Sequence, residues 1–273
     1  MYGIAPVTHG VTDQTAELRG IRLTETSHGP HARIARHRHA YPAVTLVLRG
    51  GFLEDFGAGH THECEAMSVL IKPADAPHSN RYSSREARSF IVECTSQCAA
   101  FDALERGAPQ GGLARVVVPL LELYAAFRAA VPERQVLAEE LVFEIARQRR
   151  PQREWKTVVR PGWLSRIAEA AADGCTRPLS LTMLAADCGV HPVYLARVFR
   201  RHYTQSIGSF MLQNRLRLAM HCLATTAEPI ARIALECGFA DQSHLTRLLR
   251  RETGSTPARF RHVAHATTNR PGA

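Results

Sequence analysis

No run of about 18 apolar residues occurs in the 273-residue chain, so the sequence offers no membrane-spanning helix. The first 20 residues lack the basic start and apolar core of a secretory signal peptide, and a cytoplasmic location is expected. The seven cysteines are odd in number and include no CxxC pair. They are expected to remain reduced, and Cys188 and Cys237 are most simply small core residues.

Acidic residues are scarce in the C-terminal part. Residues 1–150 contain 17 Lys and Arg against 17 Asp and Glu, whereas residues 151–273 contain 17 against 8. The whole net charge of +9 therefore lies in the second part. This asymmetry is typical of a phosphate-binding domain attached to a neutral one, and it indicates a nucleic acid as the partner.

The C-terminal part contains the same pattern twice. In the first copy, Ala185 lies on an apolar helical face and Gly189 follows four residues later, where a turn needs a left-handed backbone. In the second copy, Ala234 and Gly238 repeat this spacing, 49 residues further on. Each glycine precedes a second amphipathic helix. The pattern predicts two helix-turn-helix units.

The segment between the units, residues 207–225, predicts one continuous helix, since its apolar residues recur at helical spacing. A rigid helix there would fix the offset between the two second helices. If that offset is about 34 Å, these helices, near residues 191–203 and 241–252, can enter successive major grooves on one face of a DNA duplex.

The segment from Gly238 to Arg261, GFADQSHLTRLLRRETGSTPARFR, resembles the signature of the AraC/XylS family of transcriptional regulators, and the first copy fits the same family. One departure is small: Leu245 and Leu249 stand where the family often has an aromatic residue. The resemblance covers about the last hundred residues. It implies sequence-specific binding of double-stranded promoter DNA through both second helices.

By the family pattern, the residues that contact base edges are Val193, Ala196, Arg197, Gln242, Ser243, His244 and Arg247. Their chemistry agrees, because Arg can donate two hydrogen bonds to guanine, Gln can pair with adenine, and Val can contact a thymine methyl. Candidate phosphate contacts, which position the protein without reading sequence, are Arg200, Arg201, Arg215, Arg217 and Arg250. The alternative for any one of them is a solvated surface residue.

Upstream, short apolar runs alternate with turn residues from residue 21 to about residue 93. Runs at residues 44–48, 67–71 and 90–92 predict strands, and Gly50-Gly51 predicts a turn. Together with the C-terminal helices this gives an α+β chain: a small antiparallel barrel, two helices, and an all-α DNA-binding domain.

Three histidines of this region resemble the metal-binding motifs of a cupin. His37 and His39 form an HxH pair with Gly50 in its expected place, and His78 ends the second motif. Ala43, however, stands where the cupin glutamate belongs, and Asp75 replaces a glycine. Three imidazoles suffice for a divalent metal with one open position. The alternative is a metal-free pocket that binds a small-molecule effector or nothing.

The predicted domain organisation is a loose segment over residues 1–20, a cupin-like sensor barrel over 21–110, and a helical region over 111–148. A linker follows over 149–160, then the DNA-binding domain over 161–263 and a disordered tail over 264–273. The family resemblance implies that the helical region could form a homodimer, although its two helices could equally pack on the barrel.

The resulting hypothesis is a transcriptional regulator whose N-terminal domain senses a small molecule or a metal, or holds a dimer. An activator would also contact the transcription machinery. The rival is a cupin enzyme with a DNA-binding appendage, but the missing glutamate and the lack of a nucleophile–base pair or phosphate loop argue against it. A DNA-repair methyltransferase fusion would need a reactive cysteine in a Pro-Cys-His-like setting, which Cys64, Cys94 and Cys98 lack.

Overall fold

The computed structural model describes residues 9–57, 61–95, 104, 110–111, 114–148, 161–174, 176, 179–203 and 205–268. The chain divides into two compact units, of which one comprises residues 1–156 with 263–273 and the other residues 157–262. The predicted linker, residues 149–160, lies outside the described residues. Among those described, no helix combines the length and the apolar character needed to cross a membrane.

The first unit is rich in antiparallel strands. They are β1 Val11–Leu18, β2 Ile21–His28, β3 Arg33–His37, β4 Ala43–Arg49, β5 Gly51–Asp55, β6 Thr61–Glu65, β7 Val69–Lys72, β8 His78–Tyr82, β9 Ala87–Cys94 and β10 Gln110–Gly111. Hydrogen bonds order them into one sheet, β1-β2-β9-β4-β7-β10, and a second, β3-β8-β5-β6. The closed barrel predicted from the sequence is not confirmed, because the pairing of the described strands leaves two open sheets.

The three predicted strands are confirmed as β4, β7 and β9, which are neighbours in the larger sheet. Val44 and Leu46 of β4 and Phe90 of β9 are fully buried and form its centre. The predicted turn follows β4, where Gly50 has a φ of +69° and a Cβ would lie 2.3 Å from the carbonyl oxygen of Glu86. Only glycine fits that approach, so this turn fixes where β4 ends.

Two expectations about the chain ends are wrong. Residues 11–18, predicted to be loose, form β1, which pairs along its whole length with β2. Its side chains are mostly exposed or half-buried, and for this reason no apolar alternation marks it in the sequence. The predicted disordered tail begins inside a helix, Pro257–Thr268, so residues 264–268 are helical.

Two helices follow the strands, as predicted: α1 Val117–Arg128 and α2 Arg134–Gln148. Helix α1 packs on the larger sheet, where the ring of Phe90 lies 5.2 Å from that of Tyr124 and 5.4 Å from that of Phe127. The buried carboxylate of Glu25 on β2 accepts a hydrogen bond from the Tyr124 hydroxyl at 2.8 Å and from the Arg128 guanidinium at 2.9 Å. The intramolecular alternative therefore holds for α1.

The second unit is helical. Its helices are α3 Gly162–Asp173, α4 Leu181–Asp187, α5 Pro192–Tyr203, α6 Ile207–Thr225, α7 Ile230–Glu236 and α8 Gln242–Thr253, and α9 begins at Pro257. The predicted continuous helix between the two helix-turn-helix units is confirmed as α6. Around the first unit of the repeat, Ile167, Leu195 and Phe199 form one buried apolar cluster.

Candidate nucleic-acid interface and histidine cluster

The two predicted turns have the same backbone geometry. Gly189 and Gly238 have φ angles of +64° and +79°. The N–H of Val190 donates to the Ala185 carbonyl at 3.0 Å, and the N–H of Phe239 donates to the Ala234 carbonyl at 2.9 Å. This pattern closes a helix on a left-handed glycine. The 49-residue repeat in the sequence is therefore a repeat of hydrogen bonds.

The turns differ in what surrounds them. A Cβ added at Gly189 would meet no atom of the described residues within 4 Å, whereas one added at Gly238 would lie 2.9 Å from the Cα of Thr176 and 3.1 Å from the Nε of Arg215. The second turn is thus packed against backbone and the first is open. Arg215, predicted to contact phosphate, lies half-buried beside this turn.

The second helix of each unit starts at a polar cap. The Asp241 carboxylate caps α8 by accepting from the His244 N–H at 2.7 Å. The corresponding position of α5 is taken by His191, whose Nδ1 accepts from the Val193 N–H at 3.3 Å. Both caps satisfy backbone donors at the end of the helix that would approach the DNA.

Helices α5 and α8 turn one face inward and the other to solvent. Leu195 and Phe199 of α5, and Leu245 and Leu249 of α8, are fully buried. Of the predicted DNA-contacting residues, eight are exposed: Val193, Arg197, Arg200, Arg201, Gln242, Ser243, Arg247 and Arg250. Ala196 and His244 are half-buried on the same two helices, and Arg215 and Arg217 are half-buried on α6.

Arg197 has a neighbour that the sequence did not indicate. Its guanidinium carbon lies 5.6 Å from the centre of the Tyr194 ring, within the range of a cation–π contact. The Tyr194 ring in turn lies 6.2 Å from that of Trp163 on α3. The exposed Arg197 guanidinium therefore lies beside two neighbouring aromatic rings.

A helix-turn-helix domain family matches residues 184–262 of this chain. The regulatory protein SoxS of Salmonella typhimurium is 38% identical over 86 residues, which cover 32% of this chain and 80% of SoxS. The chain belongs to the AraC family of transcriptional regulators. It is a regulator with a DNA-binding helix-turn-helix domain.

Two further proteins are similar to part of this chain. The transcriptional activator RhaR of Salmonella schwarzengrund is 26% identical over 131 residues, 48% of this chain and 46% of RhaR. A solved structure of a transcriptional regulator with an AraC-type DNA-binding domain, from Chromobacterium violaceum, is 26% identical. It covers 40% of this chain and 95% of that one, with a TM-score of 0.36.

In the first unit of the structure, the three predicted histidines come together. Ring nitrogens of His37, His39 and His78 all lie within 4.8 Å of one another. The Nδ1 atoms of His37 and His78 each lie 2.8 Å from a backbone carbonyl, of Ala35 and Ala76. Since a carbonyl only accepts, both Nδ1 atoms are protonated, and in the neutral rings both Nε2 atoms carry lone pairs.

A fourth polar side chain, missed by the sequence reasoning, lies beside this cluster. Glu54 on β5 is fully buried, with Oε1 3.2 Å from the Nε2 of His78 and 3.2 Å from the ammonium of Lys72. The sequence does contain a signal for it. Phe52, Glu54 and Phe56 alternate, and the two aromatic side chains are buried, so the carboxylate must face the same interior.

Burial dominates the electrostatics of the cluster. Desolvation, together with the positive charge of Lys72, lowers the pKa of His37 to about 4, of His39 to about 3 and of His78 to about 2. Desolvation also raises the pKa of Glu54. The three imidazoles are therefore neutral near pH 7, the form that binds a metal ion.

The cavity at the cluster is small. Its volume is about 40 Å³, and besides the three histidines it is lined by Lys72, Asn80, Tyr82 and Glu93, among others. About 10–15 Å³ holds one water molecule, so the space formed by the described residues suits an ion or one or two waters better than a large organic effector.

Proposed function

We propose that this AraC-family chain reads two successive major grooves of promoter DNA with α5 and α8, and that its first unit modulates this binding. The observation that carries the proposal is the repeated turn, with one hydrogen-bond pattern at Gly189 and Gly238. Each turn precedes a capped helix with an exposed, arginine-bearing face. Helix α6 joins the two helix-turn-helix units, and its 19 residues give it a length of about 29 Å. This length is close to the axial length of one turn of the DNA double helix, about 34 Å.

The proposed base contacts are Val193, Ala196, Arg197, Gln242, Ser243, His244 and Arg247, and the proposed phosphate contacts are Arg200, Arg201 and Arg250, with Arg215 and Arg217. The test is selection of full-length protein on a random duplex library. Enrichment of two short elements about 10–10.5 base pairs apart supports the proposal. Enrichment of one element alone, or of none, contradicts reading by both helices.

In this proposal the N-terminal compact unit, residues 1–156 with 263–273, is the cupin-like sensor. It modulates DNA binding by binding a small molecule or a metal, or by forming a homodimer. Helix α2 favours a dimer, since its large apolar side chains Val136 and Phe143 are 56% and 59% exposed. They are seven residues apart and so share one face. Sedimentation of Phe143→Ser should show a weaker dimer than wild type, and equal association would remove this face from the proposal.

A further inference from the structure

Two pairs of potential ligand atoms face each other in the histidine cluster: the Nε2 atoms of His37 and His39, which lie within hydrogen-bonding distance at 3.1 Å, and the His78 Nε2 with the Glu54 Oε1. The His78 Nε2 and Glu54 Oε1 are 3.2 Å apart, although the Nδ1 of His78 already uses its proton on Ala76. Among the described residues, the Nε2 of His78 has no hydrogen-bond donor, and the Glu54 carboxylate, which lies 3.2 Å from the Lys72 ammonium, accepts no hydrogen bond of good geometry. Buried acceptors at such a distance repel each other unless a proton or a metal cation lies between them.

We propose that Glu54 joins His37, His39 and His78 as the fourth ligand of a divalent transition-metal site, and that Lys72 competes with the metal for Glu54. The carboxylate comes from β5 and not from position 43, where Ala43 stands, so this ligand set is a property of this chain. The regulatory meaning of the site rests on the function proposed above, whereas its metal binding does not.

Two of the distances between ligand atoms match four-coordinate geometry. A metal with bonds of about 2.0–2.1 Å to four ligands in a tetrahedron separates those ligand atoms by about 3.3 Å. The His37 Nε2 to His39 Nε2 distance is 3.1 Å and the His78 Nε2 to Glu54 Oε1 distance is 3.2 Å. Two opposite edges of the tetrahedron are therefore already present.

The donor set also selects the class of metal. Three imidazoles and one carboxylate suit Zn²⁺, Co²⁺, Ni²⁺ or Fe²⁺, whereas Mg²⁺ and Ca²⁺ prefer sites made of oxygen ligands. The carbonyls of Ala35 and Ala76 orient the rings of His37 and His78, as outer partners of metal-bound imidazoles commonly do.

Lys72 sets the competition. Its ammonium lies 3.2 Å from the same Glu54 oxygen that faces His78, and its side chain is only 12% exposed. A divalent ion in the cluster would stand close to this positive charge and would repel it. Metal binding thus requires Lys72 to release Glu54, which gives the site two exclusive states, one held by the ammonium and one by the metal.

The test is titration of chelator-stripped, full-length protein with Co²⁺, followed by its visible absorption, which distinguishes four-coordinate from hydrated ion. Wild type should bind one equivalent with a four-coordinate spectrum. Lys72→Met should tighten binding at least about tenfold because it removes the competing charge. The double variant Glu54→Gln with Lys72→Met should bind at least about tenfold more weakly than Lys72→Met.

The double variant removes both charges together, so it leaves no unpaired buried ion, and circular dichroism checks its fold. His62→Ala, on the neighbouring strand β6, is the control for adventitious histidine binding and should match wild type. Equal affinity of Lys72→Met and the double variant would remove Glu54 from the ligand set. Equal binding by wild type and His37→Ala with His39→Ala would overturn the site.

Regulation is measured separately, as affinity for the selected DNA with and without one equivalent of Co²⁺. A change in wild type that disappears in the double variant supports a metal-responsive regulator. Unchanged DNA affinity with an intact Co²⁺ site would overturn the regulatory meaning and leave the metal site standing. Loss of sequence preference in both states would instead count against the proposed function.

Discussion

The two helix-turn-helix units share a backbone but differ in the surfaces that they expose. Of the predicted base contacts on α5, only Arg197 carries a hydrogen-bonding side chain, next to Val193 and Ala196. On α8 all four predicted contacts, Gln242, Ser243, His244 and Arg247, carry one. Hydrogen bonds to base edges discriminate more strongly than apolar contacts, so sequence preference should come mostly from the second helix-turn-helix unit. The first helix-turn-helix unit should contribute one specific base contact, and otherwise position the protein on the DNA and respond to the shape of the duplex.

The turns show the same inequality in their packing. The Gly238 turn lies against Thr176 and Arg215, whereas nothing surrounds the place of a side chain at Gly189. A change in the second turn therefore has to move backbone, and a change in the first only has to accept an unfavourable φ.

The largest expected effect is on stability, from Gly238→Ala. A left-handed alanine costs about 1–2 kcal/mol at either turn, and at Gly238 the 2.9 Å approach to Thr176 adds to this cost. Chemical denaturation should show a clearly larger loss of unfolding free energy for Gly238→Ala than for Gly189→Ala. If the two losses are equal, the packing difference between the turns has no energetic consequence.

Arg247→Ala should weaken binding to the selected DNA by about 1–3 kcal/mol and relax the preference at one base pair. Val193→Ala, its matched partner on α5, should cost less, because it removes only an apolar contact. Binding to a panel of single-base variants measures both. An undiminished preference at every position would refute the role of Arg247, and a larger loss from Val193→Ala would reverse the comparison between the units.

The sequence predicts the C-terminal helices better than the N-terminal strands, because helix-closing turns are local signals and strand pairing is not. Ala185 and Gly189, and their repeats Ala234 and Gly238, are local signals, since a helix closes within a few residues of its glycine. The helix ends and inward helix faces of the helical compact unit, residues 157–262, were therefore predictable. Sheet order is set by contacts between distant segments, so neither the two open sheets nor β1 could be predicted from short apolar runs.

The histidine cluster lies between these cases. The HxH spacing indicated His37 and His39 as candidate ligands, and the structure places both beside His78. Glu54 was not predicted because it reaches the cluster through the pairing of β5 with β8, where Glu54 stands opposite Asn80, two residues from His78. The only local signal for Glu54 was its place between Phe52 and Phe56 in an alternating strand. That signal predicts that the Glu54 side chain is buried, but not which side chains it contacts.

A smaller effect is expected at the caps. Asp241→Ala removes the acceptor of the His244 N–H and should cost about 1 kcal/mol of stability. Asp241→Asn is the matched control, since Asn caps about as well and lacks the charge. Thermal unfolding should separate the two. Equal destabilisation by both would mean that the charge, through the helix dipole, matters more than the hydrogen bond.

The smallest expected effect separates two kinds of arginine. Arg201 is exposed on α5, so Arg201→Ala should weaken binding to all DNA sequences alike and reduce the slope of log K against log salt by about 1. Arg215 is half-buried beside the Gly238 turn, so Arg215→Ala should lower stability more than it changes that slope. Anisotropy titrations at several salt concentrations, with unfolding curves beside them, measure both. An equal change of slope for the two variants would show that Arg215 contacts phosphate as directly as Arg201, whereas a loss of stability without a change of slope would remove Arg215 from the proposed phosphate contacts.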